Sequence, residues 1–267
     1  MGADIKSLRT RIKSITSTQQ LTRAMGLVAS SKIRKATERM LHGRDYAAAL
    51  TQVLTALTAS PACAHSPYMH TRDGGKTRLI VIAGDRGLAG GYNANVFRTV
   101  RDYPDAEILP IGKRACDRFG GATNSCEKFD SAAAYTMAVS LCNDFAAGAY
   151  DRLGIVYTRY VSMMSQVPQV EWILPLTRDA EQKPTAALFE PDEETILHTA
   201  VPEYVTGRIM AAVRESFASE VVARRMAMDS AGKNAADMLA DLQLQYNRAR
   251  QGSITQEITE IVAGANA

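Results

Sequence analysis

A chain of 267 residues, 46% apolar, 22% charged and 6% aromatic, holds enough material for one or two packed domains. It has no run of 18 uninterrupted apolar residues, which excludes a membrane-spanning helix of ordinary length. The net charge of +3 hides a segregation: residues 1–58 carry ten Lys or Arg against three acids, whereas residues 202–267 carry seven against eight.

Proline is segregated in the same way. All nine prolines (61, 67, 104, 110, 168, 175, 184, 191 and 202) fall in the middle, so roughly 60 residues at each end are free of the residue that breaks helix interiors. A fold built throughout from helices of about 11 residues is thereby excluded. In the first stretch Ile5, Leu8, Ile12 and Ile15 recur at spacings of three and four. The stripe then shifts through Leu21, Met25 and Val28 and resumes at Leu50, Val53, Leu54 and Leu57. This is the period of a helix with one apolar face, expected over residues 1–59. Its excess positive charge fits either an acidic partner surface or a solvated helix face. The opening MGADIKSLRTRIKSITS has no apolar core of a secretory signal, so a cytoplasmic protein is expected.

Residues 60–200 read as a central α/β domain. Arg78–Gly84 (RLIVIAG) is a short β-branched run followed by the glycine-rich turn Asp85–Asn93 and a helical pattern, the start of a βαβ unit. Further strands are expected at Glu107–Ile111 and Leu153–Tyr160, with helices at Lys113–Phe119 and Ser131–Ala147. Gly87, Gly90 and Gly91 do not form G-x-G-x-x-G. Around Gly75-Lys76-Thr77, His70 stands where a P-loop needs glycine, and the motif precedes a strand instead of following one. The glycines are therefore read as turning and packing residues. The four cysteines (63, 116, 126, 142) and four histidines (42, 65, 70, 198) show no metal-ligand spacing and no nucleophile motif, so idle thiols, no metal and no cofactor are expected. No residue is assigned a catalytic role.

The last segment, residues 201–267, repeats the helical stripe. Pro202 is placed in the first turn, and Val205, Ile209, Val213, Phe217 and Val221 follow. Met228, Ala231, Ala235, Met238, Leu242, Tyr246 and Ala249 continue it, and Ile254, Ile258 and Ile261 end it. A lone helix of this length cannot bury its stripe. The economical arrangement is an antiparallel coiled coil of the two ends, and the drifting stripe suggests an irregular one. The small residues Ala263, Gly264, Ala265 and Ala267 would make a thin tip.

Three segments carry a family resemblance: IKSITSTQQLTRAMGLVASSKIRKA (12–36), GDRGLAGGYN (84–93), and SEVVARRMAMDSAGKNA with LQLQYNRARQGSITQEITEIVAGA within 219–265. Together they closely resemble the gamma subunit of F-type ATP synthase, of bacterial type. The resemblance implies a fold of class α/β with a long α-helical coiled coil, the N- and C-terminal helices packed on a central Rossmann-like domain. It implies a central rotor stalk that couples ion flow through the membrane c ring to ATP synthesis or hydrolysis at a hexamer of alpha and beta subunits. Epsilon would be a further partner, no nucleic acid would be bound, and the complex would lie peripherally on the cytoplasmic face of the cell membrane. Gamma would be a non-catalytic subunit of an enzyme.

By the same resemblance, Met25, Arg224, Arg250, Gln251 and Thr255 match rotor–stator contact positions. Lys13, Arg23, Lys32, Arg34 and Lys35 would lie in or near an acidic collar. Ile258, Ile261, Val262 and Ala263 would form an apolar tip, and Phe189 and Glu190, in ALFEPD, would meet the c ring. Ala89 stands where many members carry cysteine, and no dithiol insertion is present, so thiol regulation is not expected. Two other classes fit parts of the chain: a basic helical nucleic-acid-binding protein and an α/β nucleotide-binding enzyme.

Overall fold

The computed structural model describes residues 2–72, 74–178 and 189–265. Its elements in chain order are α1 (Gly2–Ala59), β1 (Thr77–Ile82), α2 (Tyr92–Val100), β2 (Glu107–Ile111), α3 (Lys113–Phe119), α4 (Ser131–Ala146), β3 (Arg152–Tyr160), β4 (Gln166–Leu174) and α5 (Glu193–Ala265), with two short 3-10 turns between α1 and β1. The chain divides into two compact units, one formed by Met1–Ser30 with Arg224–Ala267 and the other by Ser31–Ala223.

In the first unit the terminal helices pack as a two-stranded seam. The seam side of α1 runs through Ile5, Leu8, Ile12, Ile15, Gln19, Thr22, Gly26 and Ala29 at spacings of three and four, with Thr16 and Met25 half-buried beside it. On α5 it runs through Met228, Gly232, Ala235, Leu239, Leu242, Tyr246, Ala249 and Ser253 with the same spacing, and Ala227 and Ala231 are half-buried beside it. A Cβ on Gly26 would lie 3.5 Å from the Met228 Cβ, and one on Gly232 would lie 3.7 Å from the Thr22 hydroxyl. One number falls as the other rises, so the helices run antiparallel. The three-four spacing is that of a left-handed coiled coil, and the half-buried Thr16, Met25, Ala227 and Ala231 widen it beyond a strict two-position seam. The apolar stripe only seemed to drift, because the seam passes through Gln19, Thr22 and Gly26 while Leu21 and Val28 are 59% and 56% exposed. Met238, placed in the stripe from sequence, is likewise 45% exposed, and its neighbour Leu239 is half-buried.

The second unit is a doubly wound α/β domain clasped by the remaining parts of α1 and α5. The strand order is β2-β1-β3-β4, with β1 parallel to β2 and β3 and with β4 antiparallel to β3. Strand side chains alternate between faces. Ile80, Ile82, Leu153 and Ile155 join α4, α5 and the end of α1 in the main core. Leu79, Val81 and Val156 meet Val96 and Val100 of α2 on the other face. The helices approach closely here too: a Cβ on Gly207 of α5 would meet the Leu50 side chain of α1 at 2.5 Å and the Tyr46 ring at 3.3 Å, so a larger residue would have to displace Leu50.

Two further expectations are corrected. The strand β4 was not foreseen, because Pro168 interrupts its pattern; it is tolerated since β4 lies at the sheet edge, where its missing N–H removes no ladder bond. Helix α5 begins at Glu193, so Pro202 lies inside it and not in its first turn. Its ring leaves the His198 carbonyl without the usual helical donor, while its own carbonyl accepts the Thr206 hydroxyl at 2.7 Å.

A partly buried ion pair ties α1, α5 and the end of β3 together. The Arg44 guanidinium donates to Glu215 at 2.5 Å and to the Tyr160 carbonyl at 2.6 Å, and the Tyr160 N–H donates to Glu215 at 2.9 Å. The Glu215 side chain is only 7% exposed, so removing its cation strands a carboxylate. Arg44→Ala should therefore cost about 2–3 kcal/mol in urea unfolding of the full chain, below the range for a fully buried pair because Arg44 is partly solvated. Arg44→Leu combined with Glu215→Leu should recover most of that loss.

Candidate contact surfaces

The crevice beyond the carboxyl ends of β1 and β3, where the strand order reverses, is where doubly wound sheets bind nucleotides. In this chain α5 fills it. The Tyr92 hydroxyl, at the start of α2, meets the Ser216 hydroxyl at 2.6 Å and donates to the Ser216 carbonyl at 2.9 Å. Ser219 donates to the Thr158 carbonyl of β3 at 3.2 Å. A Cβ on Gly84 would strike the Glu220 carboxyl at 2.6 Å. Gly84 therefore admits an internal helix, whose Glu220 carboxyl occupies the space beside the turn.

Asp85 holds this turn to the rest of the domain. Its carboxylate accepts from the Ser125 hydroxyl at 2.6 Å and from the backbone N–H groups of Cys126, Glu127 and Lys113 at 2.8, 3.1 and 3.2 Å. Burial pushes the Asp85 carboxyl up, but the bonds from Ser125, Glu127, Cys126 and Lys113 outweigh it and hold the group below its ordinary value. On this rigid turn Leu88 adopts φ 60° and is 63% exposed. A left-handed leucine facing solvent is a strained and unusual pairing that sequence reading gave no reason to single out.

The sequence-predicted contact residues lie in three places. Met25 and Arg224 are half-buried. Arg250, Gln251 and Thr255 are exposed, and the Thr255 hydroxyl donates to the Gln251 carbonyl at 3.0 Å. At 3.6 residues per turn, these three share one side of α5 with Ile258, Ile261 and Val262, whereas Ala263, also exposed, falls off that side. Beyond Ser253 no described residue of α1 shelters the last turns of α5. Ile254, Ile258, Ile261 and Val262 are accordingly 47–70% exposed. Ala267 lies outside the described residues.

Phe189 packs against the main core while Glu190 is exposed; Ala187 and Leu188 of the same motif lie outside the described residues. In the basic stretch of α1, Lys13, Arg23, Arg34 and Lys35 are exposed. Lys32 is engaged within its own unit, donating to Glu127 at 2.5 Å, and Arg34 lies 3.8 Å from Glu38 one turn on. The composition missed three exposed apolar groups beside Met25: Leu21, Leu27 and Val28. Their spacing blends with that of the seam, and only the packing separates the two sets.

All four cysteines are buried. Burial pushes the Cys142 thiol up to about 12 and raises Cys63 and Cys126 as well, so these three are poor thiolate nucleophiles at neutral pH. Among the described residues no group of three His, Cys, Asp or Glu could hold a metal ion, and no helix is long and apolar enough to cross a membrane.

Comparison with known proteins supplies a context for these surfaces. A family model described as ATP synthase matches residues 4–267. The ATP synthase gamma chain of Moorella thermoacetica is 38% identical, with 99% of each chain covered. That of Ruminococcus albus is 39% identical over 97% of this chain and 96% of its own. Among solved structures, a chain of the Euglena gracilis mitochondrial ATP synthase in an OSCP/F1/c-ring assembly aligns with a TM-score of 0.70 at 19% identity, covering 100% of this chain and 95% of that one. A chain of the Tetrahymena thermophila mitochondrial central stalk and c ring aligns with a TM-score of 0.60 at 22% identity, covering 79% and 99%. At such identities these two likenesses speak to the fold.

Replacing Asp85 by Asn puts an amide N–H₂ among four donors and should cost about 1–3 kcal/mol, as for a buried group left badly paired. A carboxyl held low in the folded state contributes stability that is present above its unfolded value and lost as pH falls through its folded value. The Asp85→Asn variant should therefore lose stability at pH 7 and show a shallower acid limb in stability-versus-pH curves than the parent chain.

Proposed function

Because the chain belongs to the ATP synthase gamma-chain family, we propose that it is the central rotor stalk of an F-type ATP synthase. The observation that carries this reading is that one family match spans both terminal helices and the sheet domain together, residues 4–267. In this role the α1–α5 seam is the shaft. It turns within a hexamer of alpha and beta subunits, while the α/β domain meets epsilon and the membrane c ring at the cytoplasmic face. The chain supplies no reacting group. It couples ion flow to synthesis or hydrolysis because the rotor angle sets which conformer of each beta subunit lies lowest in free energy.

The exposed residues divide this labour by their chemistry. Arg250, Gln251 and Thr255 offer polar contacts on the side of α5 that faces away from its seam, and Met25 and Arg224 offer a second set where both helices contribute. Attraction between exposed charges is screened over roughly 8 Å at physiological salt, so Lys13, Arg23, Arg34 and Lys35 favour an acidic collar without locking to it. The bare turns carrying Ile258, Ile261, Val262 and Ala263 make non-directional apolar contact, which has no bonds to break as the tip rotates. Glu190, beside the core-anchored Phe189, lies on the side proposed to meet the c ring.

The test uses the assembled complex. The chain should co-purify in fixed ratio with alpha, beta and epsilon from solubilised membranes. Arg250→Ala with Gln251→Ala should lower ATP hydrolysis per assembled complex several-fold while leaving the yield of complex near that of the parent, since both side chains are solvent-exposed. Recovery of the chain as a free monomer beside an intact synthase would refute the rotor role. Unchanged turnover in the double variant would refute the contact assigned to those two residues.

A further inference from the structure

Where α1, α5 and the hairpin strands β3 and β4 meet, a cavity of about 360 Å³ opens beside the Arg44–Glu215 pair. Three guanidiniums line it, each from a different element: Arg44 of α1, Arg159 of β3 and Arg208 of α5. The strand residues reach it by register. Tyr157 and Arg159 alternate onto one face of β3, and Gln169 and Glu171 of β4 stand opposite Tyr157 and Ile155 on that same face. Two carboxylates share the walls, and both are engaged. Glu215 accepts from Arg44 at 2.5 Å and from the Tyr160 N–H at 2.9 Å. Glu171 pairs with Arg208 and accepts the Tyr157 hydroxyl at 3.0 Å, and the Gln169 amide donates to that hydroxyl at 2.8 Å.

What is left over is positive. Three cations face two carboxylates, a surplus of one, and among the described residues the Arg159 guanidinium makes no ion pair. Arg208 is under-bonded as well, since its Nε is buried without a hydrogen-bond partner. Burial pulls the Arg208 guanidinium down, and Tyr157 and Glu215 do not make up the loss. Burial and Glu215 push the Tyr157 hydroxyl up while Arg208 and Arg159 pull the other way, so both cations bear on the same end of the cavity. A buried N–H of a cation left unpaired is costly, and the group that satisfies forked N–H donors while carrying negative charge is an oxyanion. The rest of the wall is the short side chains of Ala47, Ala48, Ala211 and Ala212, which leave room for a small ion and are too small to grip a base or a sugar. We propose that this cavity binds a free oxyanion of the phosphate class, held by Arg159 and by the Nε of Arg208 and so bridging β3 to α5. The site goes beyond the rotor reading and does not depend on it.

Inorganic phosphate titrated into the full chain, with ionic strength held constant by sodium chloride, tests it. A ligand that binds only the folded state stabilises it by mass action, so phosphate at about ten times its Kd should raise the unfolding midpoint by about 3–5 °C. Calorimetry should return a single site per chain. Arg159→Gln should weaken phosphate binding roughly tenfold or more, as for a lost charge-assisted bond, and leave the midpoint in chloride unchanged because Arg159 is exposed. Arg208→Lys keeps a cation beside Glu171 while removing the Nε donor, and should weaken binding by a similar factor; if it does not fold, Arg159→Gln decides alone. Arg101→Gln, at an exposed position past the end of α2, should bind like the parent. Phosphate should also slow phenylglyoxal labelling at Arg159 and not at Arg101, as mapped by mass spectrometry. If chloride alone gives the same midpoint shift, if Arg159→Gln binds phosphate like the parent, or if Arg101→Gln weakens binding as much, the attraction is diffuse surface charge and the proposal is overturned. ADP that binds more tightly than phosphate and is lost in the same variants would mark a nucleotide site and overturn the free-ion assignment. The rotor role is untouched by any of these results, since co-purification with alpha, beta and epsilon tests it separately.

Discussion

The constraint on which the rest of this structure depends is that α1 and α5 must bury a narrow stripe against each other. Neither helix can shelter its own face, and isolated helices gain too little from propensity alone to remain folded on that account. The seven-residue repeat of sheltered positions fixes which side of each helix is lost to the seam. By the same geometry it fixes which side is left for solvent or partners. Arg250, Gln251 and Thr255, and the exposed Leu21, Leu27 and Val28, are contact candidates because the seam has turned them outward.

In the α/β domain the same helix does a different job. A doubly wound sheet leaves a crevice at its switch point, and α5 occupies it with Ser216, Ser219 and Glu220. Polar side chains in that position would be costly if unpaired, yet Ser216 and Ser219 meet partners on α2 and β3. The crevice at the switch point of this sheet is thus filled by the chain's own helix. The turn after β1, whose glycines read as turning and packing residues, seats a helix at Gly84, with Asp85 bonded to four donors beside it.

These arrangements favour rigidity at the points where distant segments of the chain meet. The Arg44–Glu215 pair and the Asp85 turn each hold a connection in one geometry through charge-assisted or backbone bonds. A subunit that works by transmitting force needs such fixed presentation more than it needs reactive groups. The buried thiols fit that character.

The sequence by itself determined the large features: two proline-free helical ends, a βαβ middle with its strands and helices nearly in place, and the family to which the chain belongs. It did so because proline, β-branched runs and periodicity act locally, within a few residues of where they stand. The tertiary structure alone decided the seam, since Thr22 and Gly26 are sheltered by their position opposite Gly232 and Met228, not by hydropathy. It also decided β4, whose Pro168 is permissible only at an edge, and the helical place of Pro202, which local rules put at a helix start. The filled crevice and the arginine-lined cavity were illegible for the same physical reason. Each depends on residues far apart in the chain, such as Tyr92 with Ser216 or Arg44 with Tyr160, and no local pattern records such a meeting.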